Sequence, residues 1–351
     1  MSIIIFLVIL SALVIVHELG HFLVARFFKI RVDEFGLGFP PRAKKLFTWK
    51  GTPFTLNWLP FGGFVKIFGE NGVVTEVGPM SDIGPTSGES FQNKNRGIQA
   101  AVLVAGVTGN FLFAWFLFSI GFLVGLPAPA GAGLPIENPQ TVITQVFQDS
   151  PATNAGLRPG DAILNLSPEE VVQFISSSGD EPIVLKINRG GEVMEKTVTP
   201  EYGAVGIAME TMGTVKLPIH KAIWHGLKTT GELTHLTAVS MAGFIYQAFS
   251  GQADLSAVTG PVGIVGLVGE ASALGFISII IFTALISINL CVINLLPIPA
   301  LDGGRLLFVG IEAIIRRPVP AKLFNVVNTV GFIALLTLMA VVTGNDILKL
   351  L

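Results

Sequence analysis

The chain has 351 residues, of which 51 % are hydrophobic and 13 % charged, against roughly 25 % charged in soluble domains. Its formal net charge of −2 lacks the basic excess that a nucleic-acid partner requires, so none is expected. A mean hydropathy of +0.68 marks a protein of the lipid bilayer.

In chain order, the first apolar run extends from Ile3 to about Phe28, and a bilayer core takes about 20 helical residues. The run lacks a basic leader and an A-x-A cleavage site, so residues 1–30 are expected to form a retained first span. Within it lies HELGH, residues 17–21. On a helix, His17 and His21 stack on one face, and both imidazoles reach one ion at roughly 2.0–2.1 Å. Glu18, turned by about 100°, reaches the space beside the ion without ligating it, where a carboxylate can take a proton from water. An ionisable residue at the centre of a membrane helix costs about 2.5–3.5 kcal/mol. Three within five positions need a compensating divalent cation; the competing reading is a chance pattern satisfied by packing.

Residues 31–97 are expected to form a cytoplasmic loop. Within it, LFTWKGTPFTLNWLPFGGFVKI, residues 46–67, reads as a β-hairpin turning at Lys50-Gly51. The plain reading is an ordinary cytoplasmic cap; the functional one is a sheet edge near the membrane that pairs with an extended peptide. Residues 69–90, rich in Gly, Ser and Pro, read as a mobile loop. The uncharged run Ile98 to about Gly125 is a second span, bounded as residues 98–126.

Residues 138–203 read as a soluble module: a strand, a short helix in DSPATNAGLRPGDAILNL, a helix in EEVVQFISS, and a hairpin turning at Arg189-Gly190-Gly191. This order resembles a circularly permuted bacterial PDZ domain, and SPATNAGLRPGDAIL carries the resemblance; the match departs after Leu164, where a turn and strand look truncated. FGLGF at residues 35–39 imitates a PDZ carboxylate loop but lies far from the module. Residues 204–270 read as an extracytoplasmic amphipathic region whose helix lies on the outer membrane surface or packs on the bundle, with His220, His225 and His235 as surface or interfacial histidines. Residues 271–301 form a third span ending in LDG, 302–322 a short loop, and 323–344 a fourth span. Cys291, the single cysteine, reads as a small buried hydrophobe.

Basic residues crowd the first loop (Lys29, Arg31, Arg42, Lys44, Lys45, Lys50, Lys66, Lys94, Arg96) and the last (Arg305, Arg316, Arg317, Lys322). Positive loops stay inside, so these two face the cytoplasm and the module faces outward. The fold class is a polytopic α-helical membrane protein of four transmembrane helices, with a cytoplasmic membrane-associated β-hairpin and an extracytoplasmic module. Two histidines leave zinc short of a protein ligand. Asp302, in NLLPIPALDGGR at the cytoplasmic end of the third span, is at a matching depth; its alternative role is a helix N-cap.

HELGH, LDGGR, the preceding NLLPIP, FGGFVKI and the module together resemble the site-2 protease family of intramembrane zinc metalloproteases, in its regulator-of-sigma-E protease-like subgroup with one PDZ domain. The resemblance implies Zn2+ held by His17, His21 and Asp302, Glu18 as catalytic base, and Asn294 in the N-x-x-P-x-P run holding substrate; a helix–helix hydrogen bond is the plain alternative for Asn294. VAGVTGN resembles the family's A-G-P-x-x-N run, with Val107 in place of proline. Implied partners are single-span membrane protein substrates, such as anti-sigma factors or signal-peptide remnants, and a peptide or substrate ectodomain at the PDZ module. The implied location is the bacterial plasma membrane, with the active site towards the cytoplasm. Two other classes stay open: a membrane zinc transporter or sensor, and an inactive PDZ scaffold.

Overall fold

The structure, a computed structural model, describes residues 1–70, 88–252 and 258–350. Segment 71–87, within the loop expected at 69–90, lies outside them. The chain divides into two compact units: residues 1–117, 228–269 and 282–351, and residues 118–227 and 270–281.

The first unit begins with α1 (Ser2–Phe27), an apolar helix that stops where Lys29 turns to positive φ. An antiparallel pair follows, β1 (Val32–Trp49) and β2 (Thr52–Ile67), reversing at Lys50 and Gly51, both at positive φ. The strands begin well before the residue 46 expected from sequence. Aromatic packing holds the added stretch: the Phe35 ring lies 5.0 Å from Phe54 and 5.6 Å from Phe22 of α1. The register shifts along the pair, so Phe35 lies opposite both Phe54 and Val65, and Gly36 opposite both Thr55 and Phe64. Residues 35–37 are therefore flanked by two stretches of β2, and residues 63–67 become an outer edge. Glu34 accepts hydrogen bonds from Arg42 and Thr55 at 2.7 Å each. Burial pushes its carboxyl up, but these donors outweigh burial and hold it below the usual carboxylate range.

Helix α2 (Arg96–Val124) starts where Asn95 Oδ1 accepts the Ile98 N–H at 2.8 Å, and ends before Gly125 at φ 131°. Phe22, Ala25, Ile30, Val32, Phe35, Ile67, Val102, Leu103 and Val309 form a continuous buried core in this unit.

In the second unit, one six-stranded sheet runs in the order β3-β8-β4-β5-β6-β7. Its strands are β3 (Leu126–Pro129), β4 (Glu137–Val146), β5 (Ala162–Ile163), β6 (Ile183–Arg189), β7 (Glu192–Val198) and β8 (Ile207–Val215). Strands β3 and β8 extend the sheet beyond residues 138–203: β8 pairs with β4 from Glu137↔Thr214 to Val146↔Ile207. Along β6, Ile183, Leu185 and Ile187 are buried and alternate with exposed Val184 and Lys186. They pack on Val171 and Ile175 of α4 (Pro168–Ser177), while α3 (Pro151–Asn154) adds Ala152. A reciprocal Ser167–Glu170 capping box starts α4.

Among the described residues, four helices are long and apolar enough to cross a membrane: Ser2–Phe27, Arg96–Val124, Phe276–Leu295 and Lys322–Lys349. The last two lie in α7 (Phe276–Leu295) and α9 (Ala321–Leu350), and the four mark a multi-pass membrane protein; α5 (Ile219–Phe249), α6 (Pro261–Ala273) and α8 (Asp302–Ile315) are further helices. The third span and the loop after it differ from expectation. The third apolar run breaks at Gly275, φ 106°, so Ala271 belongs to α6 and α7 begins at Phe276. It also stops at Leu295, because Pro297 and Pro299 cannot donate to a helical ladder. The expected loop at 302–322 is mostly α8, which buries Gly303, Gly304 and Val309. Asp346 of α9, 4 % exposed, accepts the Gly260 and Gly263 N–H groups at 3.2 and 2.8 Å, closing the start of α6.

In the second unit, Asp161 is 1 % exposed and accepts from Arg189 at 2.6 and 2.7 Å and from the Arg158 N–H at 2.8 Å. Removing one partner of such a pair costs about 3 kcal/mol. Asp161→Ala should therefore raise amide exchange in β6 by on the order of 100-fold, measured by hydrogen-exchange mass spectrometry of the full chain.

Candidate metal centre

Helices α1 and α2 approach closely because small residues stand at their contact. A Cβ on Gly20 would strike the Ala105 carbonyl, and one on Gly109 would lie 2.8 Å from the Val16 carbonyl. A Cβ on Gly106 would strike His21 Nε2 and lie 2.7 Å from His17 Cε1. Glycine there leaves room for both imidazoles between the helices, as small residues do at membrane helix contacts generally.

Into that room the structure brings His17, His21 and Asp302. His17 Nε2 and His21 Nε2 are 3.1 Å apart, and Asp302 Oδ2 lies 3.0 and 3.2 Å from them. All three side chains are mostly buried, at 12 %, 8 % and 17 % exposure. Asp302 reaches this position through its glycines. A Cβ on Gly303 would strike the Leu295 and Leu296 carbonyls, and one on Gly304 the Ile298 carbonyl. The first turn of α8 thus folds directly onto the proline-containing loop that ends α7. From α9, Asn328 accepts the Ala300 N–H at 3.2 Å and fixes the residue two before Asp302.

The three donors fit a zinc ion. His21 Nδ1 donates to the Val102 carbonyl at 2.8 Å, which leaves its Nε2 as a lone pair. That lone pair faces another imidazole nitrogen and a carboxylate oxygen, and the buried Asp302 Oδ2 has no well-directed hydrogen bond. Three acceptors crowded this way are costly without a cation among them. Tetrahedral ligands at 2.0–2.1 Å from zinc lie roughly 3.3 Å from one another, close to the spacings found.

Glu18 is half-buried next to these groups, and its Oε2 accepts the Val65 N–H at 2.9 Å from the outer edge of β2. Its Oε1 makes no hydrogen bond among the described residues. A cavity of ≈ 400 Å³ opens on Asp302, lined also by Ala300, Arg305, Asn328, Thr329 and Phe332. Asn294 is not part of the three-donor group; it is half-buried, and its side chain makes no hydrogen bond among the described residues. His220 and His235 are exposed, and none of His220, His225 and His235 joins the group. Sequence reasoning missed the surroundings of the histidines: the Val102 carbonyl, Gly106 and the Val65 N–H. Small residues in each helix (Gly20 in α1; Gly106 and Gly109 in α2) were the available signal.

The family model described as Peptidase family M50 matches residues 5–338. Zinc metalloprotease RasP of Geobacillus kaustophilus is 32 % identical over 426 residues, spanning 99 % of this chain and 98 % of its own. A Clostridium perfringens protein that carries a zinc metalloprotease name is 34 % identical over 360 residues, spanning 99 % of each chain. A Nostoc protein named in the same way is 33 % identical over 359 residues, spanning 96 % of this chain and 93 % of its own.

Gly106→Ala should force the imidazoles from their place and weaken zinc binding at least about tenfold, the lower range for disturbed histidine ligation. Zinc retention against a graded chelator series measures this, with helix content by circular dichroism as the control.

Proposed function

The chain belongs to peptidase family M50 and is a zinc metalloprotease of the membrane, and from that premise we propose that it cuts peptide bonds within or beside the transmembrane segments of other membrane proteins. The observation that carries this reading is the convergence of two α1 imidazoles and the Asp302 carboxylate within 3.0–3.2 Å, beside an acidic side chain that is not one of the three donors.

In this reading His17, His21 and Asp302 hold the ion. Zinc held there would polarise a peptide carbonyl and lower the pKa of a water molecule towards about 7. Glu18 is the general base: the Val65 N–H holds Oε2, and Oε1 takes the proton of the attacking water. The same carboxyl then returns a proton to the departing amine. A transmembrane helix pairs all its carbonyls internally, so the substrate must open locally into an extended strand. The edge at residues 63–67 supports such a strand, because it presents backbone at the carboxylate itself. In this reading the pairing edge is the end of the hairpin next to Glu18. Asn294, half-buried and without a hydrogen bond among the described residues, would bond the freed substrate backbone.

The short helix α3, α4 and the β6–β7 hairpin of the six-stranded unit support reading it as a permuted PDZ domain. In this reading the positive-inside charges favour an extracytoplasmic position for it and a cytoplasm-facing metal centre, and the membrane would be the plasma membrane of a bacterium. There it would exclude substrates with bulky ectodomains until another protease trims them. Single-span proteins such as anti-sigma factors and signal-peptide remnants are the substrate class that fits. A zinc transporter would have no use for Glu18 or for the strand edge beside it, and an inactive scaffold would not keep all four groups together.

Glu18→Gln should retain zinc and lower cleavage of a single-span reporter in vesicles by about 10²–10⁴-fold, the worth of a general base. Cleavage at the parent rate by a zinc-loaded variant would refute the assignment.

A further inference from the structure

Val102, Gly106 and Asn110 recur at every fourth position of α2, so they form one row along the helix. The row faces the ligand histidines in antiparallel order. The Val102 carbonyl holds His21 Nδ1 at 2.8 Å, Gly106 makes room for both rings, and Asn110 stands at His17. Asn110 is 0 % exposed, and its backbone carbonyl accepts from Ser287 Oγ of α7 at 2.8 Å.

Its side chain presents an inconsistency. Nδ2 lies 3.4 Å from His17 Nδ1, while Oδ1 is buried with no donor. In that orientation an amide hydrogen points at Nδ1, and the ring proton must sit on Nε2. An Nε2 that carries hydrogen cannot ligate. Exchanging the two ends of the amide moves no heavy atom and puts Oδ1 at His17 Nδ1. Oδ1 then accepts the Nδ1–H, and Nε2 turns a lone pair towards His21 and Asp302.

We propose that Asn110 is a positioning residue: its amide oxygen accepts the His17 Nδ1–H and holds that imidazole in the tautomer that binds metal. α2 thereby orients both histidines, one through a backbone carbonyl and one through a side-chain carbonyl. Partners of this kind fix ring orientation and are worth 10–100-fold in metal affinity. The inference rests on His17 being a zinc ligand.

The test is zinc affinity of the full chain in detergent, by competition with a chelator, for Asn110→Leu and Asn110→Asp. Asn110→Leu removes the acceptor at similar volume and should weaken zinc binding about 10–100-fold. Asn110→Asp keeps an acceptor and should bind within about threefold of the parent, or more tightly. The unfolding temperature of each zinc-free variant should stay near the parent's. Parental affinity in Asn110→Leu overturns the proposal, as does equal weakening in both variants. If Asn110→Leu does not assemble, Asn110→Asp decides alone: retained affinity supports the proposal, and a tenfold loss or more overturns it. His17→Ala is the separate control, because unchanged zinc stoichiometry there contradicts the ligand assignment itself and not the role of Asn110.

Discussion

The structure depends on a close approach of two membrane helices. α1 carries two imidazoles into an apolar environment, where they must be paired or bound. α2 accepts them because Gly106 gives up its side-chain volume and the Val102 carbonyl offers an acceptor at 2.8 Å. Gly20 lets the backbones come near enough for this. In a bilayer, where no hydrophobic force drives one helix onto another, such packing and hydrogen bonding carry the association. The same contact holds the two imidazoles side by side, so helix packing shapes the candidate metal site.

The third donor arrives by a different device. Asp302 sits in the first turn of α8, after a loop in which Pro297 and Pro299 end α7. Gly303 and Gly304 press that turn against the Leu295, Leu296 and Ile298 carbonyls. α9 reinforces the loop through Asn328, and the close approach of Gly331 to Pro299 leaves no room for a side chain. A distant carboxylate is thereby held at 3.0–3.2 Å from two rings that are fixed on another helix. Preorganisation of this kind spares the site from collecting its ligands at the moment of binding.

Much of this was legible in the sequence, and the reasons differ by element. The four spans were legible because hydropathy over some 20 residues is a strong signal. The three donors were legible because ionisable groups are rare in apolar runs and those in HELGH and LDG have few competitors. The early part of β1 was not, since residues 31–45 mix glycine, proline and lysine; pairing with β2 and the stacking of Phe35 on Phe54, 19 positions later, hold them as a strand. α8 was hidden because its charged and glycine residues read as loop, although Leu306 and Val309 recur at helical spacing. β8 lay outside the expected module because its pairing with β4 joins residues some 70 apart. The Val65 contact with Glu18 depends on how the hairpin curls, and no local pattern encodes that.

The central claim is that one zinc ion is held by two imidazole nitrogens and one carboxylate oxygen of this chain. X-ray absorption at the zinc edge of the purified, loaded protein tests it most directly. The account predicts one zinc per chain, four light donors at about 2.0–2.1 Å, and multiple-scattering features of two imidazoles that fall to one when either His17 or His21 is replaced. A six-coordinate, all-oxygen shell, or a spectrum unchanged by both replacements, would contradict it.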